Sequence, residues 1–188
     1  MRGDIILQGV FGGFTIKVKV SNPDLTTEER SYLTADYSSG TTLTVRNSEG
    51  FTTNWFAVIG EPGQEQTETR YVTATPTATT ITIASALSFA HSKSEPVYLS
   101  QWNQWAFYRK PTGGSYAAIT SSPLGIEWDD KDRATTVVVT GGLTTDTYKW
   151  RPFNSRSGNY GAYSDELAGT MTVLAASYSL PFIMVEQL

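Results

Sequence analysis

Apolar and polar residues alternate along much of this chain, which is the pattern of β-strands that bury one face and expose the other. The clearest case is a strand predicted over residues 14–20, which carries two lysines on one face. The other face of this strand is entirely apolar and consists of Phe14, Ile16, Val18 and Val20. We interpret this apolar face as part of an interface with a partner, within an N-terminal arm and linker over residues 1–40.

Residues 41–100 predict a compact antiparallel β unit in which turn signals separate short strands. Apolar residues alternate with threonine at 43–45 and 81–83. The unbroken apolar run at residues 55–59 is typical of a strand that is covered on both faces. The sequence EPGQ at residues 61–64 fits a type II turn, because proline fixes φ at the second position and glycine accepts a positive φ at the third.

Residues 101–168 predict a second β unit. Its strands are expected near residues 105–108, 116–119, 126–128, 135–140 and 148–151. Trp105 and Trp150 fall within these strands, so we predict that both are core residues.

Residues 169–188 form an apolar tail with a single charged residue. An apolar tail of this kind would promote aggregation if it were exposed to solvent. We therefore predict that it completes the edge of the second unit or docks on a partner. The expected interface residues of the tail are Leu180, Phe182, Ile183 and Met184.

Composition supports an all-β fold, and the strand pattern divides it into two small antiparallel modules, which we expect to be a β-barrel or sandwich followed by a second sandwich. Of the 188 residues, 39% are hydrophobic and only 17% are charged, so the surface must rely on threonine and serine. Threonine is β-branched and suits a half-exposed pleated surface. The 16 glycines and 8 prolines supply the turns that many short strands require.

Charge and cysteine content exclude several kinds of partner. The net charge is −4, the isoelectric point is near 5.0, and no run of Lys or Arg is present, so we expect no nucleic-acid partner. Without cysteine the chain has no disulfide or thiolate site.

No segment approaches the roughly 20 apolar residues of a membrane helix, and the N-terminus lacks a secretory pattern. We expect a soluble protein made in the cytoplasm, with no membrane partner.

The order of the sequence elements in residues 41–99 resembles a β module of tailed-bacteriophage structural proteins. The matching segments are TTLTV at 41–45, GF at 50–51, VIG at 58–60, TTITI at 79–83, ALSFAH at 86–91 and PV at 96–97. This resemblance implies a component of a virus particle rather than an enzyme.

The second unit, residues 101–168, resembles a fibronectin type III domain. Trp105 lies in an early strand, and Gly142, Leu143 and Tyr148 precede or open a late one. In that family the tyrosine hydroxyl pins the chain at a corner of the sandwich. The resemblance therefore assigns structural roles to Trp105, Leu143 and Tyr148. The unit is compact for the family, so we expect that a strand is missing or borrowed.

His91 is the only histidine of the chain. A catalytic histidine requires an orienting carboxylate and a nucleophile, and the serines at 88, 92 and 94 are sequence neighbours, which make poor triad partners. His91 also belongs to the ALSFAH segment of the phage-like module. We therefore interpret it as a structural residue that is hydrogen-bonded at a turn.

Two groups of carboxylates offer other candidate sites. The acidic residues at 129–132 predict a solvated hairpin turn, with a Ca²⁺ site as the alternative. A hydrolytic pair would draw on Glu61, Glu65 or Glu68, which we instead expect to keep a strand edge soluble. We therefore assign no catalytic residue, no cofactor and no metal site.

Aromatic residues make up 12% of the chain, and some of them fall at predicted strand ends or loops. Trp102, Tyr160 and Tyr163 are the candidates for contact with a host surface glycan. Exposed rings stack on sugars, but they also anchor protein interfaces or simply fill the rim of a core.

Together these features predict a structural component of a bacteriophage virion, either a head-surface decoration, collar or tail accessory protein. We expect it to be assembled in the host cytoplasm, to bind other virion proteins and copies of itself, and to use strand addition as one mode of contact. The alternatives are a carbohydrate-binding adhesion module on a virion surface and a cell-wall hydrolase.

Overall fold

The computed structural model describes residues 3–10, 13–25, 29–119, 122–143, 145–168 and 172–173, with the backbone alone over residues 3–10, 13–15 and 172–173. The predicted all-β class is confirmed: strands hold 42% of the described residues, and the described ranges contain no α-helix. The strands are β1 Gly3–Val10, β2 Gly13–Ser21, β3 Arg30–Tyr32, β4 Thr42–Thr44, β5 Phe56–Ile59, β6 Glu68–Tyr71, β7 Thr80–Thr82, β8 Pro96–Ser100, β9 Gln104–Lys110, β10 Ala117–Ala118, β11 Leu124–Gly125, β12 Ala134–Val139, β13 Thr147–Phe153, β14 Leu167–Ala168 and β15 Thr172–Val173.

Two of the sheets face each other as a sandwich. One has the strand order β12-β2-β1-β15, and the other has the order β10-β9-β13-β14 with β11 also paired to β9. The largest buried rings of the molecule lie between them: Trp105, Phe107, Trp128, Tyr148 and Trp150. Aromatic side chains of this size bury enough apolar surface to hold the two sheets together.

The N-terminal strands belong to this sandwich, which corrects the prediction of a separate arm over residues 1–40. β2 pairs with β1 on one side and with β12 on the other. Ile16, Val18 and Val20 are at most 3% exposed and pack in the sandwich core, so they are not available to a partner. Their alternation identifies an apolar face, but it does not say whether that face meets the same chain or another one.

Residues 30–100 form a small barrel. Its sheets have the orders β3-β8-β5-β6 and β4-β7. Isolated bridges at Leu33–Val45 and Val72–Ile83 join the two sheets on both sides, so the six strands close into a ring. A separate apolar core fills this ring. The predicted turn at residues 61–64 is present: Gly63 has a φ of 90°, and the Gln64 N–H donates to the Glu61 carbonyl over 3.0 Å.

Strand β5 is a wall that the barrel and the sandwich share. All four of its residues are buried. Ala57 and Ile59 contribute to the barrel core, while Val58 joins Tyr98 of β8 in the sandwich core. This explains the unbroken apolar run, because each face of the strand meets a different core. The barrel is thus inserted between β2 and β9, and the sandwich draws strands from both sides of it.

The sandwich has a tyrosine at one corner. The Tyr148 hydroxyl donates to the Leu143 carbonyl over 3.3 Å, and the Leu143 N–H donates to Asp146 Oδ2 over 2.8 Å. Burial, with the nearby Asp146 carboxylate, raises the pKa of Tyr148 to about 12, so the hydroxyl keeps its proton. The Leu143 side chain is 58% exposed, so this residue takes part in the corner through its backbone.

If β2 closes the sandwich, Val18→Ala should lower the free energy of unfolding by about 2 kcal/mol, because a fully buried side chain is truncated next to the central rings. Lys17→Ala, on the opposite face of the same strand, should change it by less than about 0.5 kcal/mol. Urea unfolding of both variants measures the difference. Equal effects would show that β2 does not contribute to this core.

Tyr148→Phe should lower the free energy of unfolding by about 1 kcal/mol, because it removes the hydroxyl that binds the Leu143 carbonyl and leaves the buried ring in place. Tyr160→Phe is the control, since that side chain is 44% exposed. Thermal unfolding of the two variants is the measurement. An unchanged melting temperature for Tyr148→Phe would mean that the corner bond contributes nothing.

Candidate binding surfaces

The side chain of His91 belongs to a buried ionic network and lines a pocket of about 230 Å³. Its Nδ1 is 2.6 Å from Glu95 Oε2, and its Nε2 is 3.4 Å from Glu68 Oε1. Its backbone bridges to Tyr37, which ties two barrel loops together. Both ring nitrogens therefore face carboxylates, and neither is directed at a hydroxyl nucleophile. The neighbouring Ser88 hydroxyl instead contacts Arg70.

Glu68 is the centre of this network, although the sequence suggested a solvated strand edge. Its side chain is only 6% exposed and pairs with Arg70 at 2.8 Å. The backbone N–H groups of Ser88 and Phe89 also donate to its carboxylate. Burial acts to raise the pKa of Glu68, but these donors and Arg70 outweigh it and hold the pKa below its usual value. The carboxylate thus fixes the 88–89 loop to strand β6.

The acidic residues at 129–132 form a turn, as the sequence predicts. Asp132 pairs with Lys19 at 2.5 Å, and its backbone N–H donates to Asp130 Oδ1 over 2.9 Å. Within the described ranges, no group of three or more His, Cys, Asp or Glu side chains could hold a metal ion. The turn therefore fastens the end of β12 to β2 through Lys19.

The first candidate surface is a groove of about 660 Å³ along the open edge of the sandwich. It lies between the β10–β11 side of one sheet and β12 of the other. Most of its walls are apolar and are formed by Ala118, Ile119, Leu124, Val137, Val138 and Val139. Val138 is 47% exposed and is paired with Lys17, so its side chain lies on the outer face of the sheet and its backbone borders the groove. We name this feature the edge groove.

Strand β12 borders the edge groove with the backbone edge that β2 does not cover. Among the described residues β2 is its one strand partner. The Arg133 carbonyl accepts from the Asn22 N–H over 2.8 Å, so odd-numbered backbone groups face β2. The Thr136 N–H meets the Glu127 carboxylate, so even-numbered groups face away from β2. The N–H and C=O of Val138 therefore point towards the groove.

The second candidate surface is the outer face of β9 and β13, where cationic and tyrosine side chains interleave. The Arg151 guanidinium lies 3.8 Å from the centre of the Tyr160 ring and 4.4 Å from that of Tyr163. The Lys149 ammonium lies 4.1 Å from the Tyr163 ring centre. Tyr108 meets Tyr163 edge to face, with ring centres 5.4 Å apart. We name this feature the basic tyrosine face.

The three predicted glycan contacts lie near this face, but they do not form a stacking platform. Tyr160 and Tyr163 are each 44% exposed. Tyr160 is stacked on Phe153 at 4.5 Å, and Arg151 also lies against its ring, so neighbours already occupy the ring surface. Trp102 is half-buried and packs against the sandwich core. A neutral sugar therefore finds no free ring face on Tyr160.

Several predicted interface residues lie outside the described part of the chain. They are the Phe14 side chain and the tail residues Leu180, Phe182, Ile183 and Met184. Conversely, the candidate surfaces include three residues that were not identified from the sequence: Val138, Lys149 and Arg151. Alternation of Lys149 and Arg151 with the buried Trp150 was the available signal, because it places both cations on one outer face.

Comparison with known proteins adds no assignment: no protein-family model, no curated protein and no solved structure matches the chain. No helix in the described ranges has the length and apolar character to cross a membrane. The two candidate surfaces therefore carry the functional argument.

Glu68→Gln should lower the free energy of unfolding by about 2 kcal/mol at pH 7, because charge-assisted hydrogen bonds in the network are lost. The folded-state pKa of Glu68 is lowered, so its stabilisation is present above about pH 4.5 and is lost as pH falls through the folded value. The difference between wild type and variant should therefore shrink below about pH 4.5.

Urea unfolding at pH 7 and pH 3.5 measures this dependence. Glu65→Gln is the matched control, because Glu65 is an exposed carboxylate in the preceding loop, and it should change the free energy by less than about 0.5 kcal/mol. A Glu68→Gln deficit that stays constant with pH would contradict the assignment.

Proposed function

We propose that this chain is a structural component of a bacteriophage virion that acts by protein–protein assembly. The supporting observation is the edge groove, in which a free strand edge lies beside an apolar surface. Natural β proteins usually block such an edge, because it pairs readily with another chain. Because Glu127 occupies the Thr136 N–H, the open part of this edge is the Val138 backbone, which is suited to accept a strand from a neighbour.

Strand addition uses both properties of the edge groove. The outward N–H and C=O of Val138 supply main-chain hydrogen bonds, and the apolar walls bind alternate side chains of the incoming strand. The resemblance of residues 41–99 to a phage β module is the reason for proposing a virus particle as the setting. Many copies in a symmetric shell or ring would add their individually modest contacts by avidity.

The tail, residues 169–188, is our candidate for the incoming strand. It contains a six-residue apolar stretch at 180–185, and β12 is six residues long. β15, which lies at the start of the tail, pairs with β1 at the opposite edge of the sheet from β12. A tail that leaves from that edge is better placed to reach a neighbouring copy than the groove of its own sandwich.

Val138→Pro should reduce incorporation into particles at least about fivefold, because it removes an outward N–H and leaves the pairing of β12 with β2 intact. Val138→Thr is the control, since it keeps the N–H and the β-branched shape. Deletion of residues 175–188 should have an effect similar to that of Val138→Pro.

The measurement is quantitative mass spectrometry of purified particles assembled with each variant, alongside thermal unfolding of the isolated chains. Absence of the wild-type chain from particles would refute the virion role. Equal incorporation of Val138→Pro and Val138→Thr would refute strand addition at the edge groove.

A further inference from the structure

We infer that the basic tyrosine face is a binding site for an acidic polysaccharide, held mainly by Lys149 and Arg151. The inference does not rest on the assembly role, because the two surfaces are separate. The basic tyrosine face is the outer surface of β9 and β13, whereas the edge groove lies on the side of β10, β11 and β12.

The Arg151 guanidinium is held in place before any ligand binds. Its Nε and Nη2 donate to the Tyr108 hydroxyl over 3.2 and 2.9 Å. The rings of Tyr160 and Tyr163 lie against the same group at 3.8 and 4.4 Å. Arginine stacks on aromatic faces and still presents N–H donors at its rim. Such a cation loses little conformational entropy when an anion binds.

Nearby acids offset only part of the cationic charge of this face: a hydrogen bond from Tyr116 and the charges of Lys110 and Lys149 hold the pKa of Glu166 below its usual value. Within the described part of the chain, no carboxylate lies at ion-pair distance from Lys149 or Arg151; the face has one ion pair, between Lys110 and Glu166, at 3.5 Å. The rest of the molecule is acidic, with a net charge of −4. The face is thus a local basic site that attracts an anionic group at short range.

The arrangement fits a ligand that repeats its negative charge and carries hydroxyl groups. Lys149 and Arg151 are two residues apart on one strand, so their backbones are about 7 Å apart on the same side. The phenol groups of Tyr108, Tyr160 and Tyr163 surround the cations. Phenols both donate and accept hydrogen bonds, as sugar hydroxyls do. A chain of acidic sugars supplies both kinds of group.

Other anionic macromolecules fit this face less well. Single-stranded nucleic acid binds by stacking bases on free aromatic rings, and both Phe153 and Arg151 lie against the Tyr160 ring. A protein partner usually anchors a large side chain in a desolvated pocket. The edge groove offers a surface of that kind, because hydrophobic strand residues line it. It lies on the other side of β9 from the basic tyrosine face.

Retention of the full-length chain on immobilised alginate, a polyuronate, tests the inference against neutral dextran at 50 and 300 mM NaCl. We expect retention on alginate alone, with weaker retention at the higher salt. Arg151→Gln and Lys149→Gln should each reduce the affinity about tenfold. Arg156→Gln is the control, because this arginine stacks on Tyr71 of the barrel at 4.1 Å and should bind like wild type.

Thermal unfolding of each variant shows whether it still folds. Lys149→Arg conserves the charge and should retain binding, so it separates lost contacts from lost folding. No retention on alginate, or equal retention of wild type and both Gln variants, would overturn the inference. Equal binding to dextran, or binding only to a single-stranded oligonucleotide or an acidic peptide run as competitors, would also overturn it. Particle incorporation of Arg151→Gln should stay normal, so failure here is distinguishable from failure of the assembly role.

Discussion

The pairing of β2 with β12 is the contact on which the rest of the sandwich depends. β2 precedes the barrel in the sequence and β12 follows it, so this pairing joins two segments that the barrel separates. Ile16, Val18 and Val20 then cover the rings of Trp105 and Trp150, which would otherwise face solvent. The same pairing occupies one edge of β12 and leaves the Val138 backbone open on the other edge, so the edge groove is a direct consequence of how the sandwich closes.

Local features of the fold could be predicted from the sequence, because alternation and turn chemistry act over a few residues. The strand at 14–20, the turn at 61–64 and the doubly covered strand at 55–59 all follow from such patterns. The discontinuous sandwich could not, because it depends on contacts between distant segments. Lys19 and Asp132, for example, are 113 residues apart, and nothing local to either one indicates the other.

The candidate surfaces show the same division. Tyr160 and Tyr163 could be singled out as loop aromatics, but their binding mode depends on Arg151, which reaches them from β13. The residues next to Glu68 in the sequence predict that its carboxylate is solvated. It is buried because Ser88 and Phe89, twenty residues away, donate their backbone N–H groups to it. Burial of a charge is possible only where such donors converge.

The two proposed contacts would depend on different forces, so that one molecule would serve both without interference. Binding at the edge groove would gain from apolar burial and main-chain hydrogen bonds, and salts that are excluded from protein surfaces strengthen apolar burial. Binding at the basic tyrosine face would rest on Lys149 and Arg151. Their attraction for anions is screened by salt, with a Debye length of about 8 Å at physiological ionic strength. A particle assembled through the groove would therefore survive conditions that release an acidic polysaccharide from the face. Reversible attachment on a stable scaffold follows from this difference in salt response.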